Sequence, residues 1–375
     1  LSDFQRTEWG VAMLDIKVET LAKEDMKPLF EDPTKLGFGV QFTDRMFTMR
    51  WKEGEGWHDA KIEKLKPFTL HPASIVFHYG QEIFEGMKAF AKTGGDDILL
   101  FRPEENIKRF NRSAERLCMP TLDEDEMMQA IEALVKAESR WIPRHKGAAL
   151  YIRPTMIGTQ EVLGVKASNE YIFFIILSPV GPYYPEGFNP IDLYVTDEYV
   201  RAVPGGVGEA KCGGNYAASL LAGAQAKKKG FAQVLWLDGV ERKYIEEVGA
   251  MNIFIVYNRT LVTPRLNGSI LPGITRYCII DLAEQAGLQV EETTISISEV
   301  CHDIRRGALT EIFGSGTAAS VSPVGSLSYK GKDYCINERQ VGPVTQELYD
   351  KLQAIQYGET EDTFGWVQKI GTIEK

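Results

Sequence analysis

VPGGVGEAKCGGNY, residues 203–216, holds five glycines and a single lysine and shows no helical or strand periodicity. Glycine-rich loops with a lysine usually cradle phosphate through backbone N–H groups, so the reading of the fold turns on Lys211. A Walker loop has the form GxxxxGK[ST], and Gly205 fits its first position. Ala210 stands where the second glycine belongs, and Cys212 where Ser or Thr would hold magnesium. Lys211 is not a Walker lysine.

On either side the chain alternates between strand-like and helix-like patterns. IDLYVTDEYVRA (191–202), AQVLWLD (232–238), MNIFIVYN (251–258) and ALTEIF (308–313) read as strands. NYAASLLAGAQAKKKG (215–230) reads as a helix, and RLNGSILPGITRYCIIDLAEQAG (265–287) as a turn leading into one. In the first half, FRPEENIKRFNRSAERL (101–117) places Ile107, Phe110, Ala114 and Leu117 at helical spacing, and 123–141 forms a second amphipathic helix. AALYIRPTMIG (148–158) and YIFFIIL (171–177) read as strands. LSPVGPYYPEGFNP (177–190) packs four prolines and two glycines into one stretch, which breaks both periods. The expected fold class is therefore mixed α/β (α+β) in two domains, 1–178 and 191–375, joined by an interdomain loop at 179–190.

Two further glycine motifs bear on phosphate. GSGTAA (314–319) satisfies the dinucleotide pattern GxGxxA after a strand, but Pro323 follows four residues later. Proline inside the required helix costs about 3 kcal/mol, so 320–328 reads as strand or turn, which argues against a nicotinamide site. Ser315 is flanked two residues out by Phe313 and Thr317, so no GxSxG nucleophile elbow is present either. LPGITR (271–276) opens a helix whose free first-turn N–H groups, with the Thr275 hydroxyl, form an anion socket. GSGT (314–317) reads as a turn with exposed amides, fit for phosphate or carboxylate. One monophosphate and one carboxylate would use both; alone, each is an ordinary tight turn.

Composition narrows the function classes. Of 375 residues, 44% are apolar and 25% charged, as in a soluble globular protein. A net charge of −10 disfavours nucleic acid and anionic membrane surfaces as partners. The longest apolar run, 171–177, is far short of a membrane span. Five cysteines without a CxxC pair suit a reducing compartment, and five histidines without HExxH or Cys/His ligand spacing argue against a metal site. The N-terminus lacks a signal-peptide core, so a cytoplasmic location is expected. Residue 1 is Leu rather than Met, which leaves room for a removed leader.

Several segments together resemble one family. EAKCGGNYAASL, IEEVGAMNIF, LNGSILPGITR and EIFGSGTA occur in order, preceded by HPASIVFHYGQEIFEGMKAF, LFRPEENIKRFNRSAERL and LYIRPTMIGT. From about Gly39 to Gly358 the chain is similar to the class IV (fold-type IV) pyridoxal-phosphate aminotransferases, specifically the branched-chain amino acid aminotransferases. The resemblance implies a smaller N-terminal α/β domain, a larger C-terminal pseudo-barrel domain, pyridoxal 5'-phosphate between them, and a homodimer. It further implies transfer of the amino group of L-leucine, L-isoleucine and L-valine to 2-oxoglutarate, giving L-glutamate. D-amino acid aminotransferases and aminodeoxychorismate lyases share the lysine, carboxylate and phosphate sites and are the close alternatives.

The same resemblance assigns residues. Lys211 carries the cofactor as an internal aldimine. A lysine attacks a carbonyl only when deprotonated, which partial desolvation and nearby positive charge promote. Glu247 pairs with the pyridine nitrogen, with adjacent Glu246 as competitor, since strand alternation lets only one face the cofactor. Tyr216 bonds the cofactor's ring oxygen. Arg109 grips the phosphate, although helical spacing alone leaves Arg112 and Arg116 open. Ile274 and Thr275 complete the phosphate site, together with Thr317. The Thr317–Ala318 amides hold the substrate α-carboxylate. Phe42, Tyr79, Tyr151, Arg153 and Tyr183 line the substrate pocket, with Arg153 facing a glutamate side chain. Two positions depart from patterns seen in some members: Ala250 replaces a threonine, and Ala319 and Ser322 replace a CxxC pair, so no thiol switch is implied.

Overall fold

The computed structural model describes residues 14–181 and 188–374. The first part of the chain forms strands β1 (Lys17–Val18), β2 (Arg45–Lys52), β3 (Gly56–Lys64), β4 (Glu82–Phe84), β5 (Met87–Ala91), β6 (Asp97–Phe101), β7 (Ala149–Gly158) and β8 (Glu170–Val180). They pair in the order β1-β3-β2-β8-β7-β5-β6, with β4 against β7. Alternation along β7 sorts its side chains: Leu150, Ile152 and Met156 are buried, whereas Arg153 and Thr155 are only half-buried.

Three helices accompany this sheet: α1 (Ile75–Tyr79), α2 (Pro103–Arg116) and α3 (Glu124–Ala137). Proline at the first helical position starts α2, and its buried stripe includes Ile107, Phe110 and Ala114, as the spacing predicts. Phe110 meets Phe173 of β8 edge-on, with ring centroids 5.5 Å apart. Asp123 caps α3 by accepting from the amides of Asp125 (3.0 Å) and Glu126 (3.1 Å).

The second part carries β9 (Ile191–Val195), α4 (Gly213–Lys228), β10 (Gln233–Leu237), β11 (Ile245–Val248), β12 (Met251–Tyr257), β13 (Thr260–Pro264), α5 (Ile274–Gln285), β14 (Gln289–Thr293), α6 (Ile297–Arg305), β15 (Glu311–Gly316), β16 (Ser320–Tyr329), β17 (Lys332–Cys335) and α7 (Pro343–Gln356). The strand order is β11-β10-β9-β16-β15-β12-β13-β14, and β11 also pairs with β12. That extra pairing closes six strands into a ring, the pseudo-barrel. One face of its wall is aliphatic, with Leu235, Val248, Met251 and Ile253 in a single buried cluster. Register puts Trp236, Glu247, Asn252 and Ser315 side by side on the other face.

Two expectations change. The chain divides into Leu1–Pro182 with Gln356–Lys375, and Tyr183–Ile355. The C-terminal stretch thus joins the first unit and not the second, because β18 (Val367–Thr372) completes the first sheet antiparallel to β6. Gly314 and Ser315 are not an exposed turn. They are buried strand residues, paired with Ile253 and Asn252 on β12, and the turn falls at 317–319.

Candidate active site

Within the second unit, the glycine-rich loop ends where α4 begins, and Lys211 sits just before that helix. One turn into α4, the Tyr216 hydroxyl accepts from Lys211 Nζ at 2.7 Å. Asn215 stabilises the bend, donating from Nδ2 to the carbonyls of Val207 (2.8 Å) and Ala210 (2.9 Å). Cys212 is buried, which fits packing.

Tyr216 shares a pocket with Glu247, Ala250, Leu271 and Arg201. Arg201 is the principal residue that sequence reasoning missed. Its Nε forms an ion pair with Glu247 Oε2 without hydrogen-bond alignment, and its Nη2 donates to the carbonyls of Gly208 (3.0 Å) and Ser269. Glu247 Oε1 accepts from Asn252 Nδ2 at 3.3 Å, and the same Nδ2 donates to the Leu271 carbonyl at 2.9 Å. Burial pushes the Glu247 carboxyl up to about 7, against the pull of Arg201. Of the two adjacent acids, Glu247 is the one in this pocket. Glu246 turns to Asn267 and Ser269.

The two segments expected to take anions belong to the same unit. Ile274 and Thr275 open α5, where no side chain caps the first turn and no acidic residue occupies it, leaving those amides suited to an anion. Thr317 and Ala318 follow the end of β15, whose Ser315 lies opposite Asn252. The Ser315 hydroxyl is buried without a hydrogen-bond partner on the face that carries Glu247. An uncapped helix start, an orphaned hydroxyl, a buried acid and an amine paired with a phenol together suit a phosphorylated pyridine aldehyde.

The first unit gathers a second set. Arg109 is buried on α2 and binds Glu85 through two contacts, Nε to Oε1 at 2.7 Å and Nη2 to Oε2 at 2.9 Å. Arg112 and Arg116 of the same helix are exposed. Tyr151 and Arg153 stand on one face of β7, with Arg153 Nη2 donating to the Tyr151 hydroxyl at 3.1 Å. The Arg153 guanidinium lies 4.7 Å from the Phe84 ring centroid, and its Nε is buried without a partner. Gly86 admits the tyrosine: a Cβ there would stand 1.9 Å from the Tyr151 hydroxyl. Lys88 faces Tyr151 across the β5–β7 ladder, and burial pushes its ammonium down to about 8.

Phe42 and Tyr79, expected in the substrate pocket, are both exposed. The Phe42 carbonyl accepts from Lys27 Nζ at 3.1 Å, and the Tyr79 hydroxyl donates to the Leu163 carbonyl. Tyr183 lies outside the described residues. No group of three or more His, Cys, Asp or Glu among the described residues could hold a metal ion, and no helix there is long and apolar enough to cross a membrane.

Residues 82–327 match the family model described as amino-transferase class IV. The chain is 52% identical, over 90% of its length and 95% of the relative's, to a Bacillus subtilis (strain 168) protein named branched-chain-amino-acid transaminase 1. It resembles the crystal structure of an Escherichia coli branched-chain amino acid aminotransferase with a TM-score of 0.72 and 30% identity, covering 86% of this chain and 99% of that one. A T.th. branched-chain amino acid aminotransferase, solved with pyridoxamine 5'-phosphate, gives a TM-score of 0.72 at 26% identity, covering 86% and 98% of the two chains.

Proposed function

Because the chain belongs to the class IV aminotransferase family, we propose that it transfers the amino group of L-leucine, L-isoleucine and L-valine to 2-oxoglutarate, with pyridoxal 5'-phosphate held at Lys211. The observation that carries this reading is the Lys211–Tyr216 pair beside a buried, arginine-paired glutamate. When bound, the cofactor supplies an electron sink for the negative charge left at the substrate Cα.

Every other role falls to the chain. Lys211 Nζ removes the Cα proton once its amine is free, and the Tyr216 hydroxyl orients that amine. Glu247, whose negative charge Arg201 helps maintain, would hold a proton on the pyridine nitrogen. Arg109, the α5 N-terminus (Ile274, Thr275) and Thr317 would bind the phosphate, with Glu85 holding the guanidinium until an anion competes for it. The Thr317–Ala318 amides would take the substrate α-carboxylate. Tyr151 and Arg153 would meet the side chain, the arginine binding the second carboxylate of glutamate. Phe42, Tyr79 and Tyr183 belong to the same pocket by resemblance. One methylene is worth only about 1–3 kcal/mol, so a single apolar pocket would accept all three aliphatic substrates. A homodimer and a cytoplasmic location are part of the same reading.

Borohydride reduction of the yellow holoenzyme followed by peptide mapping should tag Lys211, and L-leucine with 2-oxoglutarate should yield glutamate. A tag on another amine, or activity with D-alanine in place of L-leucine, would overturn the assignment.

A further inference from the structure

Ser269 has no exposed surface and makes polar contacts in two directions. Its hydroxyl lies 2.5 Å from Glu246 Oε1 and 2.7 Å from Asn267 Oδ1. A hydroxyl has one proton, so it donates to the nearer, carboxylate oxygen. Its amide donates to Asn267 Oδ1 at 3.0 Å, and its carbonyl accepts from Arg201 Nη2. Gly208 closes over that carbonyl: a Cβ at 208 would stand 2.2 Å from the Ser269 oxygen. Arg201 in turn pairs with Glu247.

Neighbouring carboxylates on opposite faces of β11 are therefore joined through one serine and one arginine. Two residues further along, the Leu271 carbonyl is tied through Asn252 to Glu247. The segment 269–271 leads directly into the start of α5, where Gly273 precedes the first helical residue. The acid that would meet the pyridine nitrogen and the helix that would meet the phosphate thus hang on the same short segment.

We propose that Ser269 and Glu246 are positioning residues which, acting through Arg201, fix Glu247 and the approach to the α5 N-terminus as one unit, so that both ends of the bound cofactor are set together. The proposal rests on the functional reading above. Neither residue touches the cofactor in that reading. Glu246 keeps Oε2 buried and without a partner, so removing the Ser269 hydroxyl leaves its carboxylate with the 2.9 Å bond from Asn267 Nδ2 as its remaining contact. A buried carboxylate deprived of a donor relaxes toward water or another donor, and the segment that carried the donor moves with it.

Arg201 and Lys211 from the loop before α4 and Tyr216 from α4 lie on the Glu247 side, and Glu246, on the opposite face of the same strand, acts on it through its charge. Of these, Glu246 raises the Glu247 carboxyl while Arg201 and Lys211 lower it.

Holoenzyme carrying Ser269→Ala or Glu246→Gln tests the proposal by two measurements, the rate at which bound pyridoxal phosphate is lost on dialysis and the pH dependence of kcat/KM for L-leucine. Ser269→Ala is expected to lose cofactor about tenfold faster, as the loss of one hydrogen bond to a buried charge implies. Glu246→Gln keeps the side-chain volume but removes the like charge, so its acidic limb is expected at lower pH than the parent's. A merely structural role would lower the melting temperature and leave that limb in place. Should Ser269→Ala fail to fold, Glu246→Gln decides by the same two measurements. Parent-like cofactor retention and pH profiles in a leucine-active enzyme overturn this inference alone. A parent chain without the cofactor's visible colour overturns the functional reading beneath it.

Discussion

The Tyr216 hydroxyl accepts from Lys211 Nζ at 2.7 Å, five residues further along the chain and one turn into α4. Because the helix fixes the phenol, the amine is aimed before any ligand arrives. Tyr216→Phe removes the acceptor and little else. Turnover of L-leucine is expected to fall about tenfold, as for the loss of one hydrogen bond to a charged group. An unchanged kcat would show that the phenol has no part in steering the amine.

Glu247 gives a pH signature in cofactor-free protein. Burial raises its carboxyl from 4.5 to about 7. A group raised in this way contributes stability that is complete below the unfolded value and is lost as pH rises through the folded one. The parent chain should therefore lose stability relative to Glu247→Gln between those two values, by roughly 3 kcal/mol at most. Chemical denaturation at several pH values measures it, and a difference that stays flat with pH would contradict the raised carboxyl.

Glu85 and Arg109 form a buried pair, so breaking it from one side is costly. Glu85→Gln should destabilise the chain by about 3–5 kcal/mol. Added pyridoxal phosphate should recover more melting temperature in this variant than in the parent, since the phosphate would no longer compete with the Glu85 carboxylate for Arg109. Equal recovery in both would remove Arg109 from the phosphate site.

Gly86→Ala would drive a methyl group into the Tyr151 hydroxyl and displace it from Arg153. Overpacking of this kind costs about 1–3 kcal/mol in stability. The KM for 2-oxoglutarate should rise several-fold more than the KM for L-leucine, because only the former carries the second carboxylate that Arg153 would bind in the proposed function. Parallel changes in the two would assign the arginine another task.

Much of this was legible in the sequence because the signals were local. Ile107, Phe110 and Ala114 mark the buried stripe of α2 by spacing alone, and the apolar run 171–177 marks β8. Where the determinant lies far along the chain, the reading fails. IDLYVTDEYVRA ends as a strand at Val195, since only Ile191–Val195 finds partners on β10 and β16. Gly314 and Ser315 look like turn residues until β12 and β16 pair with them. Arg201 carries no local mark at all; its meaning comes from Glu247, Gly208 and Ser269, which only the folded chain brings to it.

The placement of β18 has a consequence for biosynthesis. Residues up to Ile355 leave the ribosome before the strand Val367–Thr372 that borders β6. The barrel-bearing half can therefore mature while the earlier half still awaits its last edge, with the backbone groups of Asp97–Phe101 open on one side. Until Val367–Thr372 pairs there, that rim offers a template to any passing strand.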